Sequence, residues 1–271
     1  MKLIMKKIYD PSKHPGELIR VFGMFSGGAS SLRSIVEDPN IGELYNLVGT
    51  FTNKPQASGI GHMEDAGIPI ETLDYRGFHR NREGYFEEVG RILEQYDPDL
   101  IALSGFMLII PKSFVERYSD RILNVHPADL GIMTGPNIDR LYVGNLSPSE
   151  VVILMRDNQL KRKFVGDNAV YDAVMVGEES VNSTIHIVRP GTDTGPIIVQ
   201  SREFLVDIPP DMSVKEYSGE LQNEMKWAGD GPAYLKTLEF LAMQRLGMGE
   251  DGLTIFLDGN PLSYMGYQLT E

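Results

Sequence analysis

Short apolar runs alternate with amphipathic segments along the first half of the chain. Residues 81–96 give the clearest helix signal, because Tyr85, Val89 and Leu93 recur on one face while charged residues occupy the other. The shorter apolar runs have the length of buried strands. The pattern predicts strands at 18–25, 47–52, 68–73, 100–103 and 122–125, and helices near Ser30, through Met63 and Ala66, at 81–96 and at 111–118. This alternation indicates right-handed βαβ units and a parallel sheet.

The alternation stops at about 131–165. There, an apolar run at 151–155 and a basic patch at 161–163 lie among Gly, Pro, Asn and Ser clusters, which predicts an insertion with a small strand or hairpin of its own. The pattern then predicts a helix at 168–176, strands at 183–188 and 197–204, helices at 215–227 and 233–246 separated by 229–232, and a hairpin formed by 254–257 and 263–268. We therefore expect a single domain over residues 20–271, preceded by an N-terminal extension at 1–19. Its predicted fold class is α/β, a Rossmann-like and mostly parallel sheet flanked by helices, with a C-terminal hairpin.

Composition narrows the classes of partner. The net charge of −13 argues against broad binding to nucleic acid or to anionic membranes. The chain contains no cysteine, so disulfides, a catalytic thiol and thiolate metal sites are excluded. No apolar run approaches the roughly 20 residues that span a bilayer, and the N-terminus carries no apolar core of signal-peptide length. We expect a cytoplasmic protein with small-molecule substrates.

Candidate chemistry lies at the end of the predicted strand 122–125. Asn124 and His126 are two positions apart, so their side chains point to the same side of a strand, and Pro127 stops the strand. Ligands of parallel sheets bind at the carboxyl ends of the strands. There an amide can donate to a developing oxyanion, an imidazole can transfer a proton, and a carboxylate such as Asp193 can orient and charge the imidazole. The alternatives are a buried histidine bonded to backbone and an ordinary turn aspartate.

Three further features are candidates for ligand contact. The glycine-rich turn 26–31 could hold an anion at a helix start, or it could be a plain turn with Ser30 as the N-cap. Arg82 begins a helix, where the dipole disfavours a cation, so it is either a ligand of an anion or a solvated surface arginine. His186 lies seven positions before Asp193, on the preceding predicted strand, and is either a core residue or a support of the site.

Five motifs occur in the order and spacing of one enzyme family. They are Ser26-Gly-Gly-Ala-Ser-Ser-Leu32, Thr52-Asn-Lys54, Gly105-Phe-Met107, Asn124-Val-His-Pro127 and Asp193-Thr-Gly-Pro196. As an ordered set they resemble the folate-dependent formyltransferases, most closely those that formylate glycinamide ribonucleotide in purine synthesis. The resemblance runs from about Ile19 to Gly266 and includes the predicted terminal hairpin.

The resemblance implies formyl transfer from 10-formyltetrahydrofolate, a co-substrate, to the amine of glycinamide ribonucleotide without a metal. Asn124 and a protonated His126 would stabilise the tetrahedral oxyanion, and Asp193 would favour the imidazolium. The other implied roles are a substrate phosphate site at Gly27, Gly28, Ala29, Ser30 and Ser31, a folate site formed by Arg82, Phe106, Met107, Leu108, Ile109, Ile110, Val188 and Thr192, and support from His186 and Glu224.

The sequence departs from the family pattern at three places. Ala128-Asp-Leu-Gly131 replaces a Ser-Leu-Leu-Pro-like loop, Leu108 stands where a basic residue often occurs, and the 131–165 insertion is longer than the usual connection. These departures leave other acceptors open, such as an amino sugar nucleotide. A non-catalytic folate- or nucleotide-binding homologue is a further alternative, although it would not need the whole trio. The oligomeric state, monomer or homodimer, is also open.

Overall fold

The computed structural model describes residues 5–270. Every strand and helix predicted before residue 130 is present, with small changes of boundary. The strands, in chain order, are β1 (Met5–Lys7), β2 (Ile19–Phe25), β3 (Tyr45–Thr52), β4 (Ile70–Thr72), β5 (Leu100–Ser104), β6 (Ile122–His126), β7 (Ile132–Gly135), β8 (Ile138–Tyr142), β9 (Lys161–Arg162), β10 (Ser180–Val181), β11 (Thr184–Ile187), β12 (Ile197–Gln200), β13 (Phe204–Leu205), β14 (Leu246–Gly249), β15 (Ile255–Leu257), β16 (Asn260–Pro261) and β17 (Tyr267–Gln268). The helices are α1 (Ser30–Glu37), α2 (Gly59–Asp65), α3 (Arg82–Tyr96), α4 (Lys112–Arg117), α5 (Pro148–Asn158), α6 (Ala169–Met175), α7 (Val214–Met225) and α8 (Gly231–Ala242).

An eight-stranded sheet forms the centre of the fold, in the order β17-β12-β11-β6-β5-β2-β3-β4. Strands β6, β5, β2, β3 and β4 are parallel neighbours, which confirms the predicted mostly parallel sheet. Strand β11 is antiparallel to both β6 and β12. This reversal pairs His186 with Asn124 across the β11–β6 ladder, so two candidate residues meet side by side.

Helices cover both faces of the sheet, and β2 shows why. Val21 and Phe25 belong to the apolar cluster that includes residues of α1 and α8, whereas Phe22 and Met24 pack with residues of α3 and α4. A strand buried on both faces needs a continuous apolar run, as parallel sheets do. Burying each large side chain of this kind stabilises the fold by about 1.5–3 kcal/mol. This core fixes the carboxyl edge of the parallel strands.

The insertion has a small sheet of its own, in the order β8-β7-β9, so the predicted hairpin is confirmed. The apolar run at 151–155 is not part of that sheet, because it lies within α5. Ser147 and Glu150 form a reciprocal capping box at the start of this helix, and Pro148 occupies its first turn. Those residues are a recognisable helix-start signal that outweighs the β-branched residues behind it.

The strand predicted at 197–204 is wrong in extent. It divides into β12, which lies in the main sheet, and β13, which pairs only with β10. At the break, the amide of Ser201 donates to the carbonyl of Ser183, and the hydroxyl of Ser201 accepts from the amide of Ser183. The apolar pattern is continuous over 197–204, so it does not show that the chain passes from one sheet to another there.

The helices predicted on either side of 229–232 are not separated. A π turn at Lys226–Asp230 joins α7 directly to α8. Gly229 and Gly231 allow close packing there, because a Cβ at Gly229 would meet the Ser183 hydroxyl and the Phe204 ring, and one at Gly231 would overlap Ser34. The wide turn also accommodates a proline, which lacks the N–H of a regular α-helix. Such single π turns are frequent at functional sites.

The C-terminal hairpin is present, but its second arm is shorter and earlier than predicted. β15 pairs with β16 around Asp258-Gly259, two residues that both have positive φ, the pattern of a tight primed hairpin turn. β17, predicted as the return arm, instead joins the main sheet beside β12.

The first described residues pack against the domain. β1 pairs antiparallel with β14, and Ile8 and Tyr9 are buried in the main apolar cluster. His14 contacts Asp97 and Asp99. Residues 1–4 of the predicted extension lie outside the described range. Across residues 5–270, no helix combines the length and the apolar character that crossing a membrane requires.

Candidate active site

A cavity of about 670 Å³ opens at the carboxyl edge of the parallel strands. It lies where β2, β5 and β6 end, which is the edge that the sequence predicted for the ligand. Its lining includes the turn 27–31, the segment 106–110, and the side chains of Asn124, His126, His186 and Asp193. Below this edge, the buried hydroxyl of Tyr234 shares its one hydrogen between the carbonyls of Leu103 and Leu123, which ties α8 to β5 and β6.

Asp193 lies between two imidazoles. Its Oδ2 is 3.4 Å from Nδ1 of His126, and its Oδ1 is 3.4 Å from Nε2 of His186. The amide of Gly166 donates to Oδ2 at 3.0 Å. Asn124 completes the group, since its Nδ2 lies 3.2 Å from Nε2 of His186. The four side chains therefore form one continuous polar chain along the cavity wall.

The outer contacts of the imidazoles define their orientation. Nε2 of His126 donates to the carbonyl of Phe164 at 2.9 Å, and Nδ1 of His186 donates to the carbonyl of Ile187 at 3.1 Å. The remaining nitrogen of each ring faces Asp193. With neutral rings, lone pairs face the carboxylate on both sides, so a proton that entered either gap would be shared by nitrogen and oxygen. Asp193 and its imidazoles form a built-in acceptor for one proton.

The charges of this group follow from burial and pairing. Burial lowers the pKa of His126, and the nearby Asp193 opposes that shift only in part. For Asp193, burial acts to raise the pKa, but His186, His126 and the Gly166 amide outweigh it and hold the pKa well below its usual range. The carboxylate is therefore ionised at neutral pH while His126 is neutral. The protonated His126 expected from the sequence would be a buried cation, and burial opposes that charge state.

The turn 26–31 is shaped by its backbone. Ser30 is not the N-cap of α1; that position is Ala29, in a left-handed conformation with φ 54° and without a side-chain capping bond. The carbonyl of Gly27 accepts from the amide of Gly59, which ties the turn to α2. The start of α1 thus lacks a capping side chain, and such N-termini attract anions. Both observations favour the anion site over a plain capped turn.

Most of the candidate ligand residues line the cavity. The turn residues Gly27, Gly28, Ala29, Ser30 and Ser31 do so, as do Phe106, Met107, Leu108, Ile109, Ile110, Val188 and Thr192. Arg82 and Glu224 do not. Arg82 is exposed at the first turn of α3, and Glu224 is exposed and lies 3.5 Å from Arg202. The geometry gives neither residue a contact with the cavity.

One cavity residue was missed by sequence reasoning. Asp230 ends the π turn, is 7% exposed and lines the cavity, and its Oδ1 has no hydrogen-bond partner among the described residues. Burial raises its pKa to about 6. The Ser183 hydroxyl acts against this rise in pKa, but an unpaired buried oxygen is costly, so Asp230 is a candidate for ligand contact. Its signal in the sequence was the Gly229-Asp-Gly-Pro232 run, which was interpreted only as a helix break.

Arg162 was also missed as an individual residue, because it belongs to the basic patch at 161–163. It is 6% exposed and bonds to the loop that carries Asp193. Charge runs usually form solvated faces, and nothing in the pattern distinguishes the middle residue. Its role depends on contacts between distant segments.

The similarity of the chain to known proteins identifies its class, the formyl transferases. The family described as Formyl transferase matches residues 19–138, so this part of the chain is a formyl transferase domain. It is 27% identical to the phosphoribosylglycinamide formyltransferase of Escherichia coli, over 92% of this chain and 98% of that protein. It is also 27% identical to the human trifunctional purine biosynthetic protein adenosine-3, over 67% of this chain but only 15% of that longer protein.

A solved structure of the phosphoribosylglycinamide formyltransferase of Coxiella burnetii, in complex with CHES, shares the fold. The TM-score is 0.70 and the identity is 23%, with 93% of this chain and 100% of that chain covered. The fold predicted from the motifs is therefore confirmed beyond the N-terminal half. Likeness in fold includes the region of β11, β12 and α8, which the family match does not reach.

Proposed function

We propose that this protein transfers the formyl group of 10-formyltetrahydrofolate to the amine of glycinamide ribonucleotide. The observation that carries the proposal is the polar chain of Asn124, His186, Asp193 and His126 on one wall of the cavity. The named activity of the full-length Escherichia coli relative supports it. The cavity volume of about 670 Å³ is within the usual range for sites that hold small molecules.

The reaction requires stabilisation of one oxyanion. The acceptor nitrogen attacks the formyl carbon, and the carbonyl electron pair moves to oxygen. Asn124 has a second amide hydrogen beyond the one directed at His186, and this hydrogen can donate to that oxygen. A single positioned donor of this kind lowers the barrier by about 2.7–4 kcal/mol. Collapse re-forms the carbonyl and breaks the bond to the folate nitrogen, which takes the electron pair.

The reaction also moves one proton from the attacking amine to the departing nitrogen. The gap of 3.4 Å between His126 Nδ1 and Asp193 Oδ2 can receive it, because a neutral ring faces an ionised carboxylate there. The proton then changes the pair into an imidazolium and a carboxylate in contact. Release of the same proton to the folate nitrogen restores the starting state. Positioned acid–base groups typically contribute about a hundredfold to ten-thousandfold to rate.

The two substrates occupy different parts of the cavity. The segment Phe106–Ile110 with Val188 and Thr192 supplies a largely apolar wall suited to a pterin ring, and Gly105 with φ 61° turns the chain into that segment. The backbone of the turn 27–31 would hold the ribonucleotide phosphate. Asp230 would accept hydrogen bonds from the acceptor, since this acid lines the cavity and its buried Oδ1 has no partner among the described residues.

Steady-state formyl transfer by the full chain tests the proposal, with glycinamide ribonucleotide and an amino sugar nucleotide offered as separate acceptors. We expect turnover with the first acceptor. In Asp230→Asn, a charge-assisted contact is weakened, so KM for that acceptor should rise about tenfold with little change in kcat. Asp211→Asn, an exposed turn position, is the matched control and should behave like the wild type.

The outcomes separate the alternatives. Turnover confined to the amino sugar nucleotide would refute the acceptor and retain the reaction. Folate binding without transfer to either acceptor would refute the proposed activity. An unchanged KM in Asp230→Asn would remove this residue from the acceptor site.

A further inference from the structure

Arg162 lies at the end of β9, within the basic run 161–163. It is only 6% exposed, whereas its neighbour Lys161 is exposed to solvent. Its guanidinium donates to the carbonyl of Asp193 and, at 2.9 Å, to the carbonyl of Gly195. Its Nε donates to the hydroxyl of Tyr264 at 3.0 Å, and the central carbon of the guanidinium (Cζ) lies 5.4 Å from the centre of the Tyr264 ring. All three nitrogens of this side chain therefore donate either to the loop that carries Asp193 or to Tyr264.

This guanidinium has no carboxylate partner within ion-pair distance in residues 5–270. Burying an unpaired cation is costly, so the hydrogen bonds to carbonyls and the aromatic face must offset the lost hydration. A planar fork of donors suits two carbonyls of one turn better than a flexible ammonium does. Apolar side chains could join the insertion to this loop at a lower cost in free energy than a buried cation. The presence of an arginine therefore indicates that its hydrogen bonds shape the loop.

The loop requires an external support. Asp193 is not glycine and has φ 50°, a conformation that costs about 1–3 kcal/mol unless its surroundings hold it. Gly191 has φ 112°, and Gly195 packs so closely on the carbonyl of Ile187 that no Cβ fits. The loop's own sequence therefore permits the turn but does not hold it.

We propose that Arg162 is a positioning residue, through which the insertion holds the carboxylate of Asp193 between the two imidazoles. The inference rests on the proposed function for its kinetic consequence. Arg162 does not touch the cavity among the described residues, so it acts through the Asp193 backbone. The end of the insertion supplies the Phe164 carbonyl, which binds His126, and the adjoining Gly166 supplies the amide that binds Asp193. One segment thus contacts both members of the proton-accepting pair.

The charge of Arg162 also acts on the pair. Together with burial and with His186, it lowers the pKa of His126, while Asp193 and the Phe164 carbonyl raise it. Removing the guanidinium should therefore raise the pKa of His126 in addition to loosening the loop. The pH at which kcat begins to fall on the acid side should move upward.

The test compares Arg162→Gln with Arg140→Gln. Arg140 is the matched control, because it lies in the same insertion and pairs with the buried carboxylate of Glu178 but has no contact with the Asp193 loop. Misplacing a catalytic group by about 1 Å typically costs about a hundredfold, so Arg162→Gln should lower kcat by about tenfold to a hundredfold with KM values close to wild type. Arg162→Lys, which keeps the charge and some donors, should recover part of kcat.

Hydrogen exchange gives a readout that does not need turnover. Amides of residues 164–168 and 191–195, including Gly166, should exchange faster in Arg162→Gln and at the wild-type rate in Arg140→Gln. A loss of thermal stability with unchanged kcat, or a rise of KM alone, would overturn the proposal. If Arg162→Gln does not fold, Tyr264→Phe, which removes one partner of the arginine, should lower kcat by about twofold to tenfold. If wild type itself shows no transfer, the proposed function fails, and the exchange result still decides the role of Arg162.

Discussion

Two turns line the cavity, and they are held in different ways. The turn 26–31 follows β2, a strand buried on both faces, and leads directly into α1. The loop 190–196 connects two antiparallel strands and is held by Arg162 of the insertion and by Gly166, which directly follows the insertion. Both turns are held by distant parts of the chain. The first is held by main-chain and hydroxyl groups of Gly59, Ser104 and Gly105, whereas the second is held by a buried guanidinium and by a bond between a carboxylate and an amide.

The difference matches the chemistry expected of each turn. Backbone amides at a helix start can bind a phosphate without any particular side chain. A proton acceptor needs a carboxylate at a defined distance and angle from its imidazole. Precise placement requires more support, and the second turn receives it from a buried cation and several directed hydrogen bonds. The comparison predicts that equivalent changes have unequal effects in the two turns.

The largest effect should come from Asp193→Asn. The substitution keeps the shape but removes the negative charge that faces both imidazoles at 3.4 Å. The proton from the amine then has no charged acceptor, so kcat should fall by about a hundredfold to ten-thousandfold. Formyl transfer at saturating substrates measures this, with Asp139→Asn as a control on an exposed carboxylate of the insertion.

Folate affinity should be nearly unchanged in the same variant, since the pterin wall is formed by other residues. Turnover in Asp193→Asn within about threefold of wild type would contradict the acid–base role, because losing such a group normally costs far more. A similar loss in Asp139→Asn would show that general destabilisation explains the effect.

A paired glycine substitution tests the contrast between the turns. In Gly195→Ala, the new Cβ would overlap the carbonyl of Ile187, so the loop must move, and kcat should fall about a hundredfold. In Gly28→Ala, the Cβ would meet only the Ser58 hydroxyl at 3.8 Å, so the turn should keep its shape. In Gly28→Ala, the added methyl group would crowd only the approach of the phosphate. KM for the ribonucleotide should therefore rise about tenfold, with kcat retained.

Kinetics and thermal unfolding of both variants measure this contrast. Gly219→Ala is the control, because its Cβ meets nothing within 4 Å on α7 and alanine favours a helix. Equal loss of kcat in the two turns would refute the idea that they are held differently.

The sequence predicted the fold of the first half because the relevant information there is local. Each buried strand and amphipathic helix from Ile19 to His126 carries its own periodicity, and the order of motifs then predicts the ligand edge. Asn124 and His126 are found in this way, since a strand places positions i and i+2 on one side. The same reasoning failed at 197–204, where a change of sheet leaves no mark on an apolar run.

The parts of the site that were missed depend on distant contacts. Arg162 belongs to a basic run whose middle member is buried only because the insertion folds back over the Asp193 loop. Asp230 lies in a π turn between two glycines, a pattern that normally interrupts a helix. Propensity argues against a helix there, and packing of those glycines against α1 and β13 reverses the outcome. Tertiary structure alone decides such positions.

The smallest expected effect concerns His14, which attaches the N-terminal segment to the domain through Asp97 and Asp99. Nδ1 and Nε2 of His14 each lie 2.9 Å from a carboxylate oxygen, on Asp99 and Asp97 respectively. Only the imidazolium can donate from both nitrogens. The bond to Asp97 chiefly, together with Asp99, raises the pKa of His14, although burial opposes it. Lys13 and then His14 lower the pKa of Asp97 to about 2.

The signs give a window for the resulting stability. The contribution of His14 is complete below its unfolded pKa of about 6.5 and is lost as pH rises through the higher folded value. That of Asp97 is present above about pH 4 and is lost as pH falls towards 2. Because Asp97 is largely exposed, its contact with His14 should contribute less than about 1 kcal/mol to the free energy of unfolding.

Urea unfolding of wild type and His14→Gln should therefore differ more at about pH 5.5 than at about pH 8.5, with wild type the more stable. Unlike Arg162, His14 is not connected to the cavity, so kcat should be the same in both proteins. Hydrogen exchange in β1 should follow the stability difference, because this strand is attached through β14 and the His14 contact holds the segment behind it. A difference in unfolding free energy that grows with rising pH would contradict the assigned charge state. A change in kcat would mean that the N-terminal attachment, like the buried arginine, is coupled to the site.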